Sequence, residues 1–528
     1  MSTAPAPGAG VPADQAFVNN LITQSTTAGP WIDINTNYLL TSAYLVFFMH
    51  CGFAMISIGC VRARFARHIA VLILVDACAS ALGFYLFGFA FAFGDGQDDA
   101  GNLYGNSFIG FRFFAMHDMD QAQYFATAVR PYAFWVFEWA FAATACTIVS
   151  GAIAERARVE AYVLYSFFMA AWVYPVVVHS IWSGAGWASM FRPTPYASGY
   201  MMGLNSGAID FAGSGAVHMV GGYAAAAGCF VIGPRIGRFN SDGTANDFAG
   251  HNSSLFVLGV MILWFGWYGF NPGSQLVLVG LQNSFAVSNC AVTTTLAPAA
   301  AGLSALLVKA IDSHVSTGKH VYDVGVMGNG ALAGLVAITS GTSTIEPWGA
   351  IIVGFVAGAL YILGSKCSVW FKWDDPLDAI AVHAWNGTWG VIAVGAFADA
   401  DLITNSYGTD VFSGGQRPYG FLFPGGGGHL LGAQIAYALF IAVWVLGNML
   451  PFFFLLKVCG LLRATADEEA LGLDSSHHGG SAYAGQADDD KSAHTNGAGA
   501  GGGGGNYATK AEFESLRSEI AALKKGAA

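Results

Sequence analysis

Asp210-Phe-Ala-Gly-Ser-Gly-Ala-Val-His218 and Asp378-Ala-Ile-Ala-Val-His383 are similar openings of two long apolar segments. Each begins with an acid and carries a histidine several residues further on. Ionisable side chains are expensive inside an apolar helix and usually mark a substrate or proton path. Their occurrence at corresponding places in two halves of the chain predicts an internal repeat with a site between the halves.

The surrounding composition indicates a membrane protein. Of the 528 residues, 54% are hydrophobic and only 10% are charged, whereas about a quarter are charged in soluble domains. This composition argues against a soluble enzyme. A helix needs about 20 apolar residues to cross a bilayer. Eleven windows meet this requirement, at 38–59, 69–93, 132–153, 159–182, 209–232, 254–271, 290–311, 321–340, 346–364, 377–398 and 429–456.

The number and polarity of the spans predict their arrangement. Spans one to five and six to ten can form two inverted five-helix repeats, followed by a final helix. Short loops rich in Lys and Arg stay in the cytoplasm. Thirteen of these residues follow odd-numbered spans and four follow even-numbered ones. We therefore predict an all-α polytopic membrane protein with an extracellular segment 1–37, an eleven-helix domain 38–456 and a cytosolic C-terminus.

The two histidines are the first candidate site. At 1.5 Å per residue, His218 is expected about 12 Å below the outer mouth and His383 about 8 to 12 Å above the inner one. Their rings can therefore meet near the centre of the membrane, where two neutral imidazoles can bond a small polar molecule or relay a proton. A metal site is a weaker alternative because no third ligand has suitable spacing. Nucleophilic catalysis is weaker still, and no cofactor is expected.

Aromatic residues gather at the predicted outer ends of several spans. Span six ends with Trp264-Phe-Gly-Trp-Tyr-Gly-Phe270-Asn-Pro-Gly-Ser274, where Pro and Gly interrupt the helix. Span four ends at Trp182, and span three places Phe141 close to the depth of the first histidine. Aromatic rings, a hydroxyl and the nearby Asp210 carboxylate can together hold a small cation. A larger organic cation remains an alternative.

These residues resemble those of the ammonium transporter, methylammonium permease and Rhesus protein superfamily, most closely its plant-type ammonium transporters. The similarity runs from about Tyr38 to Tyr483. Its most specific motifs are DFAGSGAVHMVGG from Asp210, WFGWYGFNPGS from Trp264, DDPLDAIAVH from Asp374, SGAIAER ending at Arg156 and RPYGFLFPGGGGHLLGAQ from Arg417. The resemblance implies eleven helices, N-out and C-in, a homotrimer with one pore per subunit, and ammonium and methylammonium as substrates.

The resemblance also assigns roles to particular residues. It implies ammonium recruitment at Trp182, Phe141, Ser274 and Asp210, a gate from Phe141 and Phe270, and twin pore histidines at His218 and His383. Ammonium would lose a proton outside, ammonia would cross the apolar pore, and the proton would follow through the histidines. Neutral ammonia avoids most of the desolvation cost of an ion, and potassium has no proton to lose. Such a protein is not an enzyme and has no nucleic-acid partner.

Several residues depart from the family pattern, among them Phe65 in place of an Asn and His429 in place of a Lys. Glu138 and His50 each stand where relatives carry Gln, and Trp385 stands where small residues allow close helix packing. These departures leave the geometry around the second histidine open. Two other functions are therefore considered, an ammonium sensor that signals through its tail and an electroneutral ammonia channel of the Rhesus kind. The intact histidines favour transport over sensing, while Trp182 and Ser274 favour the ammonium branch over the Rhesus branch.

The C-terminal residues resemble a regulatory extension of the same family. Residues 457–496 are similar to the cytosolic tail that packs on a neighbouring subunit in plant-type relatives. Ser476 aligns with a regulatory phosphothreonine, so a cytosolic kinase is an expected partner. A Gly-rich linker, 497–505, leads to 506–528, where apolar spacings of three and four predict a short coiled coil or docking helix. The plasma membrane is the expected location.

Overall fold

The computed structural model describes residues 29–97, 103–104, 106–119, 129–191, 206–408 and 417–483. Almost all of these residues that belong to regular structure are helical. The predicted linker 497–505 and the terminal helix 506–528 lie outside the described residues.

Within the described ranges, the first half of the chain contains seven α-helices. They are α1 (Gly29–Cys60), α2 (Ala66–Gly83), α3 (Phe89–Phe93), α4 (Pro131–Ile153), α5 (Val159–Phe168), α6 (Tyr174–Trp182) and α7 (Val220–Ile232). Three π-helical segments connect or precede them, at Phe84–Gly88, Met169–Val173 and Ser214–Met219. Short 3₁₀ turns lie at Ala63–Phe65 and Phe114–Met116, and strands β1 (Gly96–Gln97) and β2 (Leu103–Tyr104) form an antiparallel pair.

The described residues of the second half, which end at residue 483, contain nine further α-helices. They are α8 (Ser253–Gly273), α9 (Leu281–Thr317), α10 (Val324–Thr339), α11 (Pro347–Trp370), α12 (Asn386–Phe397), α13 (Ala400–Tyr407), α14 (Gly428–Val458), α15 (Ala466–Leu471) and α16 (Leu473–His477). A fourth π-helical segment, Ile380–Trp385, leads directly into α12.

Long apolar helices confirm the prediction of an all-helical polytopic membrane protein. Nine helical stretches in the described part of the chain are long and apolar enough to cross a membrane, and α10 is a shorter apolar helix. The observed bounds differ from the predicted windows. The first helix begins at Gly29 instead of residue 38, and α9 covers Leu281–Thr317 instead of 290–311. Apolar windows mark only the membrane core, whereas helical hydrogen bonds continue into the more polar ends.

Polar side chains define where several helices start. The Asn252 side chain accepts hydrogen bonds from the backbone N–H groups at the start of α8, and Asp323 does the same for α10. Asp399 caps α13, and Thr465 forms a capping box with Glu468 at the start of α15. Each cap satisfies backbone donors that have no partner within the helix.

Small residues let the helices approach closely. A Cβ atom added at Gly259 of α8 would lie 2.6 Å from Ile56 of α1, and one at Gly354 would lie 2.1 Å from the carbonyl oxygen of Ala297. Membrane helices associate through such small-residue contacts because lipid supplies no hydrophobic drive between them. Glycines at such contacts therefore allow the helices to form a tightly packed bundle.

Charged side chains meet at one end of the bundle, which we call the basic end and define by Arg62, Glu155, Arg235 and Asp374. Arg62 Nε donates to Glu155 at 2.7 Å, and Arg235 Nε donates to Asp374 at 2.8 Å. Burial by itself would raise the pKa of the Asp374 carboxyl. The hydrogen-bonded Arg235 outweighs burial and lowers this pKa to about 2. The four residues follow predicted spans one, three, five and nine, so loops after odd-numbered spans share this end.

The tail, residues 459–483, covers part of the basic end of its own chain. The Asp474 carboxylate accepts the backbone N–H groups of Arg67 and His68 at 3.0 and 2.8 Å. His68 Nδ1 lies 2.8 Å from Nε2 of His478. Tyr483 is bonded to His251 Nε2 at 2.7 Å. The tail is thus held by contacts to the start of α2 and to the loop that precedes α8.

Candidate functional site

The two predicted histidines meet inside the bundle. His218 lies in the π-helical segment Ser214–Met219 and His383 in Ile380–Trp385. Their Nδ1 atoms are 3.2 Å apart, with ring centroids at 5.3 Å and an interplanar angle of 22°. Both side chains are buried. The expected approach of the two rings is therefore present in the structure.

This contact determines what the pair can do. One Nδ1 must donate and the other accept, so the two rings share a single proton between them. Nε2 of His218 is buried and has no hydrogen-bond partner among the described residues. His383 lies in the wall of a cavity of about 30 Å³, which has room for a water-sized molecule. The site can therefore bond one small polar molecule or pass a proton.

Two helices cross closely at the histidine pair. A Cβ atom at Gly222, in α7, would lie 2.2 Å from the backbone nitrogen of Ala384. Any larger residue would force the backbones apart beside His383. Gly222 therefore helps to set the distance between the two rings.

An indole that was not among the predicted site residues supports the first ring. Trp267 stacks on His218 at 5.2 Å with an interplanar angle of 18°, and its Nε1 donates to Thr339 at 2.9 Å. Phe270 also stacks on His218, at 5.5 Å. Trp267 precedes Phe270 by three residues and thus shares its helix face. This three-residue spacing is the feature of the sequence from which a role for Trp267 could have been predicted.

A group of aromatic rings lies next to His218. We call this region the aromatic end and define it by Phe141, Trp182 and Phe270. Phe141 and Phe270 stack at 4.0 Å with an interplanar angle of 22°, and both are buried. The half-buried Trp182 contacts Phe141 edge-on at 5.9 Å. The stacked pair therefore separates the His218 ring from the exposed side of Trp182.

The remaining predicted residues of this end are fixed by hydrogen bonds. Ser274 is half-buried, and its hydroxyl donates to the carbonyl of Phe270 at 2.8 Å. Trp182 Nε1 donates to the main-chain oxygen of Asp210 at 2.7 Å. The Asp210 carboxylate accepts the N–H groups of Gly215 and Ala216. The structure therefore gives Asp210 the task of fixing the indole and the start of its helix.

The acid that corresponds to Asp210 in the second half is Asp375, and our pairing of Asp210 with Asp378 was wrong. Asp375 accepts the N–H group of Ile380 at 2.7 Å, just as Asp210 caps its own π-helical segment. Asp378 instead accepts from Tyr361 and Ser365 of α11. The sequence does contain an indication of this pairing. Asp210 precedes His218 by eight residues, and Asp375 precedes His383 by the same eight.

The departures at Trp385, Glu138 and His50 lie in different surroundings. The Trp385 indole is 37% exposed and packs beside Gly364, so it leaves the histidine contact intact. Glu138 is buried, and its Oε2 lacks a hydrogen-bond partner within the described ranges. His50 Nε2 lies 3.1 Å from the hydroxyl of Thr147, which in turn donates to Asp76.

Ser476 lies on α16 at the basic end. Its hydroxyl donates to the carbonyl of Gly472 at 3.1 Å and is partly accessible. Asp474, two residues earlier, is the buried carboxylate that holds the tail to Arg67 and His68. A change of charge at Ser476 would therefore occur next to the tail's main anchor.

A bundle of apolar helices with a paired-histidine site between them defines an integral membrane protein of the small-solute transport class. The model of the ammonium transporter family matches residues 37–483. Ammonium transporter 1 member 3 of Solanum lycopersicum is 45% identical over 460 residues, which cover 85% of this chain and 93% of that relative. Ammonium transporter 1 member 1 of Arabidopsis thaliana is 46% identical, with 83% of each chain covered.

Solved structures agree with this result. A structure described as a sensor Amt protein is 32% identical, with a TM-score of 0.70 over 85% of this chain and 99% of the other. Mep2 of Candida albicans is 26% identical, with a TM-score of 0.68 over 83% and 87% of the two chains. The chain belongs to the ammonium transporter family and is a transporter, not an enzyme.

Proposed function

We propose that the protein moves ammonium as ammonia and a separately conducted proton, so that charge crosses the membrane. The observation that carries this proposal is the buried His218–His383 pair beneath the stacked rings of Phe141 and Phe270. A pair that shares one proton can pass it on without holding a cation in an apolar lumen. Ammonia is small and neutral, so it avoids most of the desolvation cost of an ion.

Recruitment of ammonium would occur at the aromatic end. The faces of Trp182 and Phe141 attract a cation through their quadrupoles. Since the Ser274 hydroxyl already donates its proton to Phe270, its lone pairs can accept an N–H group of ammonium. Asp210 acts by holding the Trp182 indole. Methylammonium offers the same donors and charge, so it is the expected second substrate.

The proposed architecture has eleven spans, two inverted five-helix repeats and a final helix, assembled as a homotrimer in the plasma membrane. The equivalent capping by Asp210 and Asp375 supports the repeat. The gathering of Arg62, Arg235 and Asp374 at one end supports a cytosolic basic end and an extracellular N-terminus.

The tail would regulate transport. Phosphorylation of Ser476 by a cytosolic kinase would add nearly two negative charges beside the buried Asp474. The repulsion would weaken the contacts of Asp474 with the backbone of Arg67 and His68. We expect release of the tail and a change in transport.

A sensor is the second candidate function. It is favoured by the tail's contacts with the start of α2 and with the loop before α8, and by the similarity to a solved structure described as a sensor Amt protein. A sensor would bind ammonium and change the tail with little flux. An electroneutral ammonia channel would instead show flux without current.

Currents evoked by an ammonium jump in proteoliposomes test these alternatives. We expect a saturable current with ammonium and none with potassium. His218→Ala should reduce the current or weaken selectivity, because it breaks the histidine contact. Ammonium binding without current or ammonia flux would reject transport in favour of sensing. Ammonia flux without current would favour the channel.

A further inference from the structure

A further buried histidine lies about one helical turn before Trp182. This residue, His179, is on α6 and is fully buried. Its Nδ1 lies 3.0 Å from the carbonyl oxygen of Ala92, near the end of α3, and its Nε2 lies 2.9 Å from that of Asn106, which follows β2. The ring therefore joins α6 to the residues on both sides of the β1–β2 pair.

These two contacts define the protonation state of the His179 ring. A carbonyl oxygen can only accept a hydrogen bond, so each ring nitrogen that faces one must carry a proton. A neutral imidazole has one protonated nitrogen, whereas an imidazolium has two. A neutral ring would direct a lone pair at a buried carbonyl oxygen and leave both groups unsatisfied. Only the charged ring can bond Ala92 and Asn106 together.

Asp95 supplies the opposite charge. Its Oδ1 lies 3.8 Å from Nε2 of His179 and has no hydrogen-bond partner among the described residues. Its Oδ2 accepts the hydroxyl of Ser183, the residue that directly follows Trp182 at the end of α6. Because a buried charge is tolerated when it is paired, Asp95 allows the His179 ring to be charged inside the protein.

Contacts to this loop lie on both sides of Trp182. His179 precedes the indole by three residues, and Ser183 follows it. Further along, the backbone N–H of Trp187 donates to the carbonyl of Ser107 at 3.2 Å. The last turn of a helix lacks continuing helical hydrogen bonds. The position of the indole at the end of α6 is therefore set by these contacts.

We propose that the charged pair of His179 and Asp95 positions Trp182 for the capture of ammonium. The pair fixes the end of α6 against the β1–β2 segment. Cation–π attraction depends on where the cation lies over the face of the ring, so displacement of the indole weakens capture. His179 and Asp95 are positioning residues because they act through Trp182. The pair affects the binding of ammonium, whereas passage through the pore depends on the histidines His218 and His383.

This inference rests on the proposed recruitment of ammonium at Trp182, and the test separates the two. Ammonium currents are recorded over a range of concentrations in proteoliposomes that carry wild type, His179→Gln, Asp95→Asn, both changes together, or Trp182→Ala. Each single change in the pair should raise KM about three- to tenfold, as expected for a weakened cation–π contact, while the maximal current stays within about twofold. The double variant should be no worse than the single ones, because the two residues act as a unit.

Nitrogen-15 NMR spectra of histidine-labelled protein test the charge directly. They are recorded at about pH 7.5, where an exposed imidazole is mostly neutral. Wild type should show an imidazolium signal that is absent from His179→Gln and Asp95→Asn. A spectrum of wild type without that signal would overturn the charged pair.

His117→Gln is the matched control, because His117 and Asp118 form a second histidine–acid contact at 2.9 Å in which the histidine side chain is 81% exposed. It should keep the wild-type KM. An unchanged KM in folded His179→Gln would overturn the inference, and so would a lower maximal current at unchanged KM, which is the sign of a purely structural role. If His179→Gln does not fold, Asp95→Asn decides. An unchanged KM in Trp182→Ala would instead reject the proposed recruitment site, and with it the task of the pair.

Discussion

The aromatic end and the basic end approach the same histidine pair in opposite ways. At the aromatic end, Phe141 and Phe270 stack at 4.0 Å and both oxygens of the Asp210 carboxylate accept backbone N–H groups. At the basic end, Asp375 retains a buried oxygen without a hydrogen bond in the described structure and borders a pocket of about 210 Å³. One end is closed by apolar rings, while the other is open and titratable.

The difference indicates how two equivalent halves acquire different tasks. Both acids cap a π-helical segment that carries a histidine. The residues around each segment then determine what it can bind or exchange, because aromatic rings favour binding of a cation and a polar pocket favours exchange of protons. The two capped segments thus share one local plan, and the neighbouring helices and loops make their surroundings different.

The largest expected effect comes from removing the two capping acids. Asp210→Ala leaves the N–H groups of Gly215 and Ala216 buried without an acceptor, whereas Asp375→Ala affects the N–H of Ile380. At roughly 1 to 3 kcal/mol for each unsatisfied group, Asp210→Ala should lower the thermal unfolding temperature in detergent more strongly. Asp210→Asn keeps an acceptor and serves as the control. Equal losses in the two alanine variants would contradict the comparison.

The contact between the two halves should be the next most sensitive feature. A methyl group at Gly222 would lie 2.2 Å from the nitrogen of Ala384, so Gly222→Ala must separate the helices beside His383. A displacement of this kind should reduce the ammonium current about tenfold or more although both histidines remain. Gly447→Ala, where no atom lies within 4 Å of the added carbon, should leave the current unchanged. A normal current in Gly222→Ala would show that the ring distance is unimportant.

A smaller effect should distinguish the basic end by its response to pH. Burial lowers the pKa of His478, and Arg67 and His477 act in the same direction while Asp474 opposes them. His68 Nδ1 lies 2.8 Å from Nε2 of His478, so a proton added at His478 also affects this contact. Docking of the tail is therefore favoured above the ordinary histidine pKa of about 6.5 and weakens as the pH falls through the lower pKa of the docked state.

Limited proteolysis of the tail measures how its docking responds to pH. The digestion is run at about pH 7.5 and about pH 5.5, roughly one unit to either side of the ordinary histidine pKa. Cleavage should be faster at the lower pH. His478→Gln cannot be protonated and should abolish the difference. Faster cleavage at the higher pH would contradict the sign of the expected effect.

The smallest effect is expected at Trp385. Its indole is partly exposed and lies beside Gly364, away from the histidine contact. Trp385→Ala should keep the current within about twofold and change stability by less than about 1 kcal/mol. Loss of the current in a folded variant would show that the histidine site depends on this side chain.

The helical plan was predictable because apolar length and periodicity report directly on membrane spans. The histidine pair was also predictable, since buried ionisable residues in two apolar segments are rare. Trp267 and Asp375 were missed although their spacings to Phe270 and His383 were visible. Aromatic residues and acids are common at helix ends, so their spacing becomes informative only when the partner contacts are known.

The sequence by itself determined the membrane-protein class, the helical spans and the two histidines, because these depend on local composition and periodicity. Only the tertiary structure decided that Asp210 and Asp375 cap their segments in the same way, that Trp385 is directed away from the site, and that Asp378 borders a polar pocket at the basic end. These properties depend on contacts between residues far apart in the chain. The physical reason is that a side chain's role is set by the partners that satisfy its hydrogen bonds.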